Sequence, residues 1–297
     1  MNVRVVVPVA VSETVRALTN CSSIGSAFAT VGGHSNLSFR TLLDGATDVV
    51  VKSAADPRKR DDLRREARLL SRISDLSLMA PSMIVHGEGD GVTVTVLHLL
   101  PGTHGLEAVQ ARQISTLTAR AAVMGTALRR VHLAAPIPDV ESELVRRHAE
   151  AATALAGLAL AADVAEAMTA ALDAPVHRRG DAFVHGDFGF HNTLWTNRLS
   201  GLLDWEFAGW GNPLVDVAWF WWTLRLRSVD NSVWLAFAEA YGMSALQAIG
   251  FTAVAVDALV RAQMIVLLVR TAPESETRAI WLDRWHALAE LGPATLD

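Results

Sequence analysis

The feature that most constrains this chain is the run His185-Gly186-Asp187-Phe188-Gly189-Phe190-His191-Asn192, with Asp204 twelve residues beyond Asn192. It reads H-G-D-x-x-x-x-N and then L-D-W. Asp187 is a candidate general base, Asn192 a candidate metal-binding amide and Asp204 a candidate metal-binding carboxylate. Phosphoryl transfer needs such a set: one group to orient the nucleophile, others to hold Mg²⁺ on the phosphates. Thr193-Leu194-Trp195-Thr196 is β-prone, and Gly201-Leu202-Leu203-Asp204-Trp205 reads as a returning strand. Asn197-Arg198-Leu199 makes a three-residue turn between them. A register symmetric about Arg198 sets Trp195 opposite Gly201 and Asn192 opposite Asp204. Directly opposed Cβ atoms lie roughly 4.5–5.5 Å apart. Mg²⁺ takes only one or two oxygen ligands from a protein when phosphates and water complete its shell. The plainer alternative is a loop and hairpin whose polar residues only cap turns.

A second constellation lies upstream. Asp48-Val49-Val50-Val51-Lys52-Ser53-Ala54 reads as a buried strand carrying one lysine. Of 26 basic residues only Lys52 and Lys59 are lysines, so a lysine kept inside a valine run points to a need for the compact ammonium. An edge-strand lysine reaching solvent is the alternative. Asp56-Pro57 is a helix start, with Asp as N-cap and Pro in the first position. The helix runs through about Ile73, with Leu63, Ala67, Leu70 and Ile73 on one face. Glu66 falls on that apolar face. A lone carboxylate facing a core is unfavourable unless paired, and Lys52 is the candidate partner. Otherwise Glu66 is a rim charge beside an arginine.

Val31-Gly32-Gly33-His34-Ser35-Asn36 is a glycine turn between two β-prone runs, Ser26–Val31 and Leu37–Leu43. Glycines let backbone amides approach phosphate closely. The turn matches neither G-x-G-x-x-G nor a Walker P-loop.

In this order (glycine turn, V-V-V-K, a helical Glu, H-G-D-x-x-x-x-N, L-D-W) the chain resembles the aminoglycoside phosphotransferase family, the antibiotic-kinase branch of the protein-kinase-like superfamily. The resemblance runs from about residue 20 to beyond residue 220. Protein kinases carry H-R-D and D-F-G instead, and an A-P-E motif that this chain lacks. The resemblance implies a bilobal α+β fold: a small antiparallel-sheet lobe with one key helix, then a larger, mainly helical lobe. It implies Asp187 as the residue that accepts or orients the substrate hydroxyl, and Asn192 and Asp204 as Mg²⁺ ligands. Lys52 would contact the α- and β-phosphates of ATP, positioned by Glu66. Gly33, His34, Ser35 and Asn36 would cover the triphosphate. The hinge would fall at 98–103, where backbone groups of His98 and Leu100 would read the adenine edge. His185 would be structural in the catalytic loop, and Asp216 structural as well. GTP remains possible in place of ATP. The implied reaction moves a γ-phosphoryl group to a hydroxyl of an aminoglycoside or another cationic antibiotic. An amino-alcohol, sugar or other metabolite is the alternative acceptor.

Composition sets outer bounds. With 297 residues, 51% of them hydrophobic, the chain can bury one or two cores. A net charge near −5 excludes a strongly basic nucleic-acid binder and suits a cationic substrate. The single cysteine, Cys21, excludes an intramolecular disulfide and fits a reducing, cytoplasmic setting. Phe251–Val269 is apolar but contains Asp257 and Arg261, so it reads as a buried helix rather than a membrane span. Nothing in the sequence indicates an obligate protein partner.

Residues 1–97 read as an N-terminal helix, several strands and the Glu66 helix, with Val92–Leu97 a strand that His98-Leu99-Leu100-Pro101-Gly102 ends. The remainder, 104–297, reads as helical over Arg112–His132, His148–Leu172, Val217–Leu226, 231–242, 244–270 and 275–291. Gly157 and Asp163 divide the second of these. A helix cannot bury Trp219, Trp221 and Trp222 on one narrow face, so either one lines a cleft or all three tie helices together. Asp230, Glu239, Glu274, Glu276 and Asp283 are candidates for binding amines, or are solvated surface charges. Two other classes stay open: a metallohydrolase with His185, Asp187 and His191 as ligands, which leaves Lys52 and Glu66 idle, and a catalytically silent nucleotide-binding module.

Overall fold

A computed structural model describes the chain apart from residues 1–2, 31–36, 74–75, 77, 135–136, 138–142, 159, 179, 181, 272–274 and 289–297. In order, β1 (Arg4–Val5), α1 (Val9–Thr19), β2 (Ala27–Ala29), β3 (Leu37–Leu43), β4 (Thr47–Ala54) and α2 (Pro57–Ile73) come first. Then follow β5 (Met83–Gly89), β6 (Val92–His98), β7 (Thr103–His104), α3 (Gly105–Gln110), α4 (Ile114–His132), α5 (Glu143–Leu155) and α6 (Ala162–Asp173). Short strands β8 (Ala182–Val184), β9 (Thr193–Trp195), β10 (Leu199–Leu202) and β11 (Gly209–Gly211) precede the last helices. These are α7 (Leu214–Leu226), α8 (Asn231–Tyr241), α9 (Met243–Ala248), α10 (Ala253–Val269) and α11 (Glu276–Leu288).

The chain divides into two compact units, Met1–Gly105 with Phe190–Glu206, and Leu106–Gly189 with Phe207–Asp297. The segment 190–206, which the sequence placed with the helical lobe, groups with the first unit. Its strands explain this: β9 pairs with both β10 and β7, and Leu202 donates its N–H to Met79 O at 2.9 Å.

Among the described residues the first unit is built on an antiparallel sheet of order β1-β2-β3-β4-β6-β5. β4 is interior, with Lys52 opposite Ser38 on one side and Thr95 on the other. Strand alternation sends Val49 and Val51 into a core with Val11 and Val15 of α1, Phe39, Val94 and Val96. Lys52, one residue on, takes the opposite face, the α2 side. The N-cap of α2 forms as the sequence suggests: Asp56 Oδ1 accepts from Arg58 N at 3.0 Å and Lys59 N at 3.2 Å. Leu63, Glu66, Ala67, Leu70 and Ile73 are all buried.

The second unit is helical. Gly125 of α4 is a contact point with α8: a Cβ there would come within 2.4 Å of Phe237 O, so only glycine lets the two backbones approach this closely. One helical expectation needs correction, and one pair of alternatives is decided. The run 244–270 is two helices, not one. Gly250 breaks it with φ +83°, and Thr252 caps α10 by accepting from Ala255 N at 3.2 Å. In α7 every residue from Leu214 to Leu224 is buried, so Trp219, Trp221 and Trp222 are all covered. The helix is surrounded rather than half-exposed, which removes the one-face limit assumed for the tryptophans.

Candidate active site

The first unit holds a compact ionic cluster. Lys52 Nζ donates to Glu66 Oε1 at 2.6 Å, to Glu66 Oε2 at 2.8 Å and to Asp204 Oδ1 at 2.9 Å. Lys52 is not an edge residue, and its side chain is only 14% exposed. Glu66 is not a rim charge; it is 3% exposed, and its Oε1 also accepts from Trp205 N at 3.2 Å. Burial alone would lower the ammonium pKa, but the charges of Asp204 and Glu66 outweigh it and hold Lys52 above its ordinary value. Burial raises the Glu66 pKa, and the Lys52 charge opposes that without cancelling it. Lys52 stays charged, and both its carboxylate partners hold its head group in place.

Asp204 reaches Lys52 by way of an irregular hairpin. The register is Trp195 opposite Leu199, Leu194 opposite Gly201 and Thr193 opposite Leu202, with a bulge between Leu199 and Gly201. The symmetric register is therefore corrected: Trp195 does not face Gly201. Asn192 O accepts from Leu203 N at 2.9 Å, so Asn192 lies level with Leu203 rather than directly opposite Asp204. The extra residue is Ser200, whose Oγ donates to Pro101 O at 2.6 Å. Asp204 then adopts φ +62°, a left-handed conformation that aspartate tolerates better than most residues. Its carboxylate is 35% exposed, whereas Asn192 is buried. An amide oxygen and a partly exposed carboxylate form an all-oxygen donor set, and that chemistry fits Mg²⁺.

The second unit carries Asp187. Its Oδ1 accepts from Trp219 Nε1 at 2.6 Å, and its own N–H donates to His185 Nδ1 at 3.3 Å. The loop before it is fastened from below by Asp216, which is fully buried. Asp216 Oδ2 accepts from His185 N at 2.8 Å, and Oδ1 accepts from Gly186 N at 2.7 Å. His132 Nε2 lies 3.0 Å from Oδ2, and His132 Nδ1 lies 2.8 Å from the Tyr241 hydroxyl. A proton on Nε2 satisfies both contacts, with the Tyr241 hydroxyl donating to Nδ1. Burial and the Asp216 charge push the Tyr241 pKa up, which keeps that hydroxyl a donor. Gly186 sits at φ +81°, and a Cβ there would lie 2.4 Å from Phe207 O. Its carbonyl accepts from Gln263 Nε2 at 3.1 Å.

Trp219 thus holds the Asp187 carboxylate, and Asp216, with His132 and Tyr241 behind it, holds the loop that leads into Asp187. Trp219 stood in the sequence only as a core or cleft residue. His132 and Tyr241 carried no signal, because residues 132, 216 and 241 share no spacing. The glycine turn, with Gly33, Ser35 and Asn36, lies outside the described residues. His98 ends β6 with an exposed side chain, and its N–H is taken by Ser82 O at 2.9 Å. Leu100 packs on the hairpin at Gly201, where a Cβ would lie 2.6 Å from its Cδ1. Among the described residues no three His, Cys, Asp or Glu side chains are placed to share a metal, so His185, Asp187 and His191 do not form the metallohydrolase site. His185 is fully buried, edge-on to Phe188.

A sheet unit with a Lys–Glu–Asp cluster and a helical unit with an aspartate held by hydrogen bonds at the end of an H-G-D loop suit a chain of the kinase-like phosphotransferase class. The family model described as "Phosphotransferase enzyme family" matches residues 29–254, and the chain belongs to that family. It is similar to the gentamicin complex of the aminoglycoside phosphotransferase APH(2")-IIa, with 16% identity and a TM-score of 0.65 over 97% of this chain and 98% of that one. It is also similar to a type VIII aminoglycoside-3'-phosphotransferase, with 19% identity and a TM-score of 0.63 over 86% and 98% of the two chains. A Streptomyces rimosus aminoglycoside phosphotransferase in complex with ADP and streptomycin matches at 18% identity and a TM-score of 0.60, over 77% and 90%. These likenesses establish the fold. In sequence, the chain is 46% identical over 59 residues to the viomycin phosphotransferase of Streptomyces vinaceus, a match spanning 18% of this chain and 20% of that protein. No helix among the described residues is long and apolar enough to cross a membrane.

Proposed function

We propose that this protein transfers the γ-phosphoryl group of ATP to a hydroxyl of a small molecule. The observation that carries this reading is the Lys52 ammonium shared between Glu66 and Asp204. Such a group is charged, fixed and suited to phosphate oxygens, and a silent fold has no need to keep it. Lys52 contacts the α- and β-phosphates while Glu66 holds it in position. Asn192 and Asp204 hold Mg²⁺, which when bound neutralises charge on the phosphates. Asp187 orients the acceptor hydroxyl and takes its proton as the new O–P bond forms and ADP departs with the electrons of the broken P–O bond. Trp219 keeps the Asp187 carboxylate aimed. The ADP of the similar S. rimosus structure supports nucleotide use.

Gentamicin, streptomycin and viomycin, named for similar proteins, make an aminoglycoside or another basic antibiotic the first acceptor class to test. The experiment is ATP·Mg²⁺-dependent phosphorylation across aminoglycosides, other basic antibiotics, amino-alcohols and sugars, read by mass spectrometry. Asp187→Ala is expected to lower the rate by roughly 10²–10⁴-fold. An unchanged rate with any acceptor that is phosphorylated would remove Asp187 from its role.

A further inference from the structure

The acids that the sequence offered for amine binding take other places. Asp230 caps α8 by accepting from Ser232 N at 2.9 Å, Glu239, Glu276 and Asp283 are exposed, and Glu274 lies outside the described residues. Gln263 of α10 is a buried polar group that the reaction as proposed leaves unused. It is 2% exposed, and every other buried residue of α10 is apolar. An amide in such surroundings is costly unless bonded. Its Nε2 donates to Gly186 O at 3.1 Å, and among the described residues no donor reaches its Oε1. A carbonyl only accepts, so the amide is turned with its NH₂ toward Gly186. The donor half is used, and the acceptor half is carried with it.

That bond falls at the step from Gly186 to Asp187. Gly186 has φ +81°, and its N–H is fixed by Asp216 Oδ1 at 2.7 Å. The next peptide, joining Gly186 to Asp187, is planar, so its carbonyl and N–H turn together. A peptide beside glycine turns over more easily than others, because no Cβ opposes it. Gln263 holds the oxygen of this peptide, and His185 Nδ1 accepts from its N–H at 3.3 Å. The 3.3 Å contact is longer than the usual range and the 3.1 Å bond is within it, so the firmer hold comes from α10. The two bonds set the plane of the peptide, and the plane sets the direction in which the Asp187 side chain leaves the backbone. The carboxylate so directed meets Trp219 Nε1 at 2.6 Å.

We infer that Gln263 is a positioning residue for Asp187: its amide holds the Gly186–Asp187 peptide in the orientation that carries the Asp187 carboxylate to Trp219. The kinetic part rests on Asp187 being the base; the first readout does not. In the full chain labelled with nitrogen-15, the Trp219 indole N–H is the one signal, among those of nine tryptophans, that Trp219→Phe removes. A strong bond to a carboxylate moves such a proton downfield, and Asp187→Ala marks where it lies without that bond. Gln263→Met and Gln263→Leu keep a side chain of similar size and lose the donor. Each should move the signal upfield, toward its position in Asp187→Ala. Gln263→His, whose Nε2–H can reach Gly186 O, should return it at least partway. On a phosphorylated acceptor the methionine variant should lower kcat about 10- to 100-fold, with KM for ATP little changed. A signal at the parent position in both donor-free variants would overturn the inference. So would a histidine variant that melts with the parent protein and still matches the methionine variant. A displaced signal with an unchanged kcat would remove Asp187 as the base and leave its positioning by Gln263 standing.

Discussion

Replacing Asp216 with asparagine tests whether the catalytic loop is held as the structure shows. The carboxylate accepts from Gly186 N on one oxygen and from His185 N and His132 Nε2 on the other. Asparagine keeps one oxygen. If that oxygen serves Gly186, the amide NH₂ points at the His185 N–H, donor against donor. The same NH₂ satisfies His132 only if the imidazole changes tautomer, after which Nδ1–H donates to the Tyr241 oxygen. One buried backbone N–H is left unpaired in this best arrangement, and the charge that strengthened its neighbours is gone. The expected loss is about 2–3 kcal/mol, since a hydrogen bond to a charged group contributes about 1.5–3 kcal/mol. At roughly 2–4 °C per kcal/mol for a large domain, the melting temperature should fall by about 4–12 °C. Asp216→Ala, which removes the acceptor of three buried donors, should cost more, at roughly 1–3 kcal/mol for each donor left unpaired. Because His185 and Gly186 lead directly into Asp187, kcat should fall in the asparagine variant while KM for ATP changes little. Thermal and urea melts with steady-state kinetics on a phosphorylated acceptor read both effects. An asparagine variant that melts with the parent protein at an unchanged kcat would refute the argument.

The ionic cluster makes the opposite kinetic split: Glu66→Gln should raise KM for ATP about tenfold or more, because Lys52 loses one of its two fixed charges, and an unchanged KM would sink that role. Gly186→Ala forces a Cβ against Phe207 O in a left-handed residue and should destabilise by about 1–3 kcal/mol, visible as a lowered urea midpoint. His148 and His177 stack edge-on at 4.5 Å; burial, aided by the His177 charge, pushes His148 down to about 3, and burial lowers His177 as well. The unfolded chain therefore takes up protons first, so this stability is complete above about pH 6.5 and drains as pH falls, with at most about 2 kcal/mol lost through His148 by about pH 5. A urea midpoint that did not drop between neutral and mildly acidic pH, or dropped equally in His148→Gln, would contradict it.

The sequence made the Lys52–Glu66 pair legible because both signals are local. A lysine in a valine strand and a glutamate on an apolar helix face are each anomalous within a few residues, and each explains the other. The α2 boundaries were legible for the same reason, from Asp56 and Pro57. The hairpin was legible as an element but not in register, because the bulge at Ser200 depends on Pro101, 99 positions away in the chain. In 214–226 and 244–270 the side chains are apolar nearly all round, so periodicity gave no face to α7 and no break at Gly250. The short strands β7, β8 and β11 carry two or three residues each, too few to show alternation.

The support of Asp187 was the least legible part, and the reason lies in how buried polar groups are satisfied. His132, Asp216 and Tyr241 come from three helices, and their bonds join residues 84 and 109 positions apart. Each is unremarkable alone; only the fold shows that one carboxylate answers two backbone amides and an imidazole. The two parts of the chemistry thus depend on different interactions. In the first unit an ammonium is held by carboxylates, so under the proposed function neutralising a partner should change how a phosphate is gripped. In the second, the loop leading into Asp187, the proposed base, is held by hydrogen bonds to the buried Asp216 carboxylate. Glu66→Gln and Asp216→Asn each remove one negative charge, yet the first should act on KM for ATP and the second on kcat. If both variants shifted the same constant, the assignment of nucleotide grip to one unit and base positioning to the other would fail.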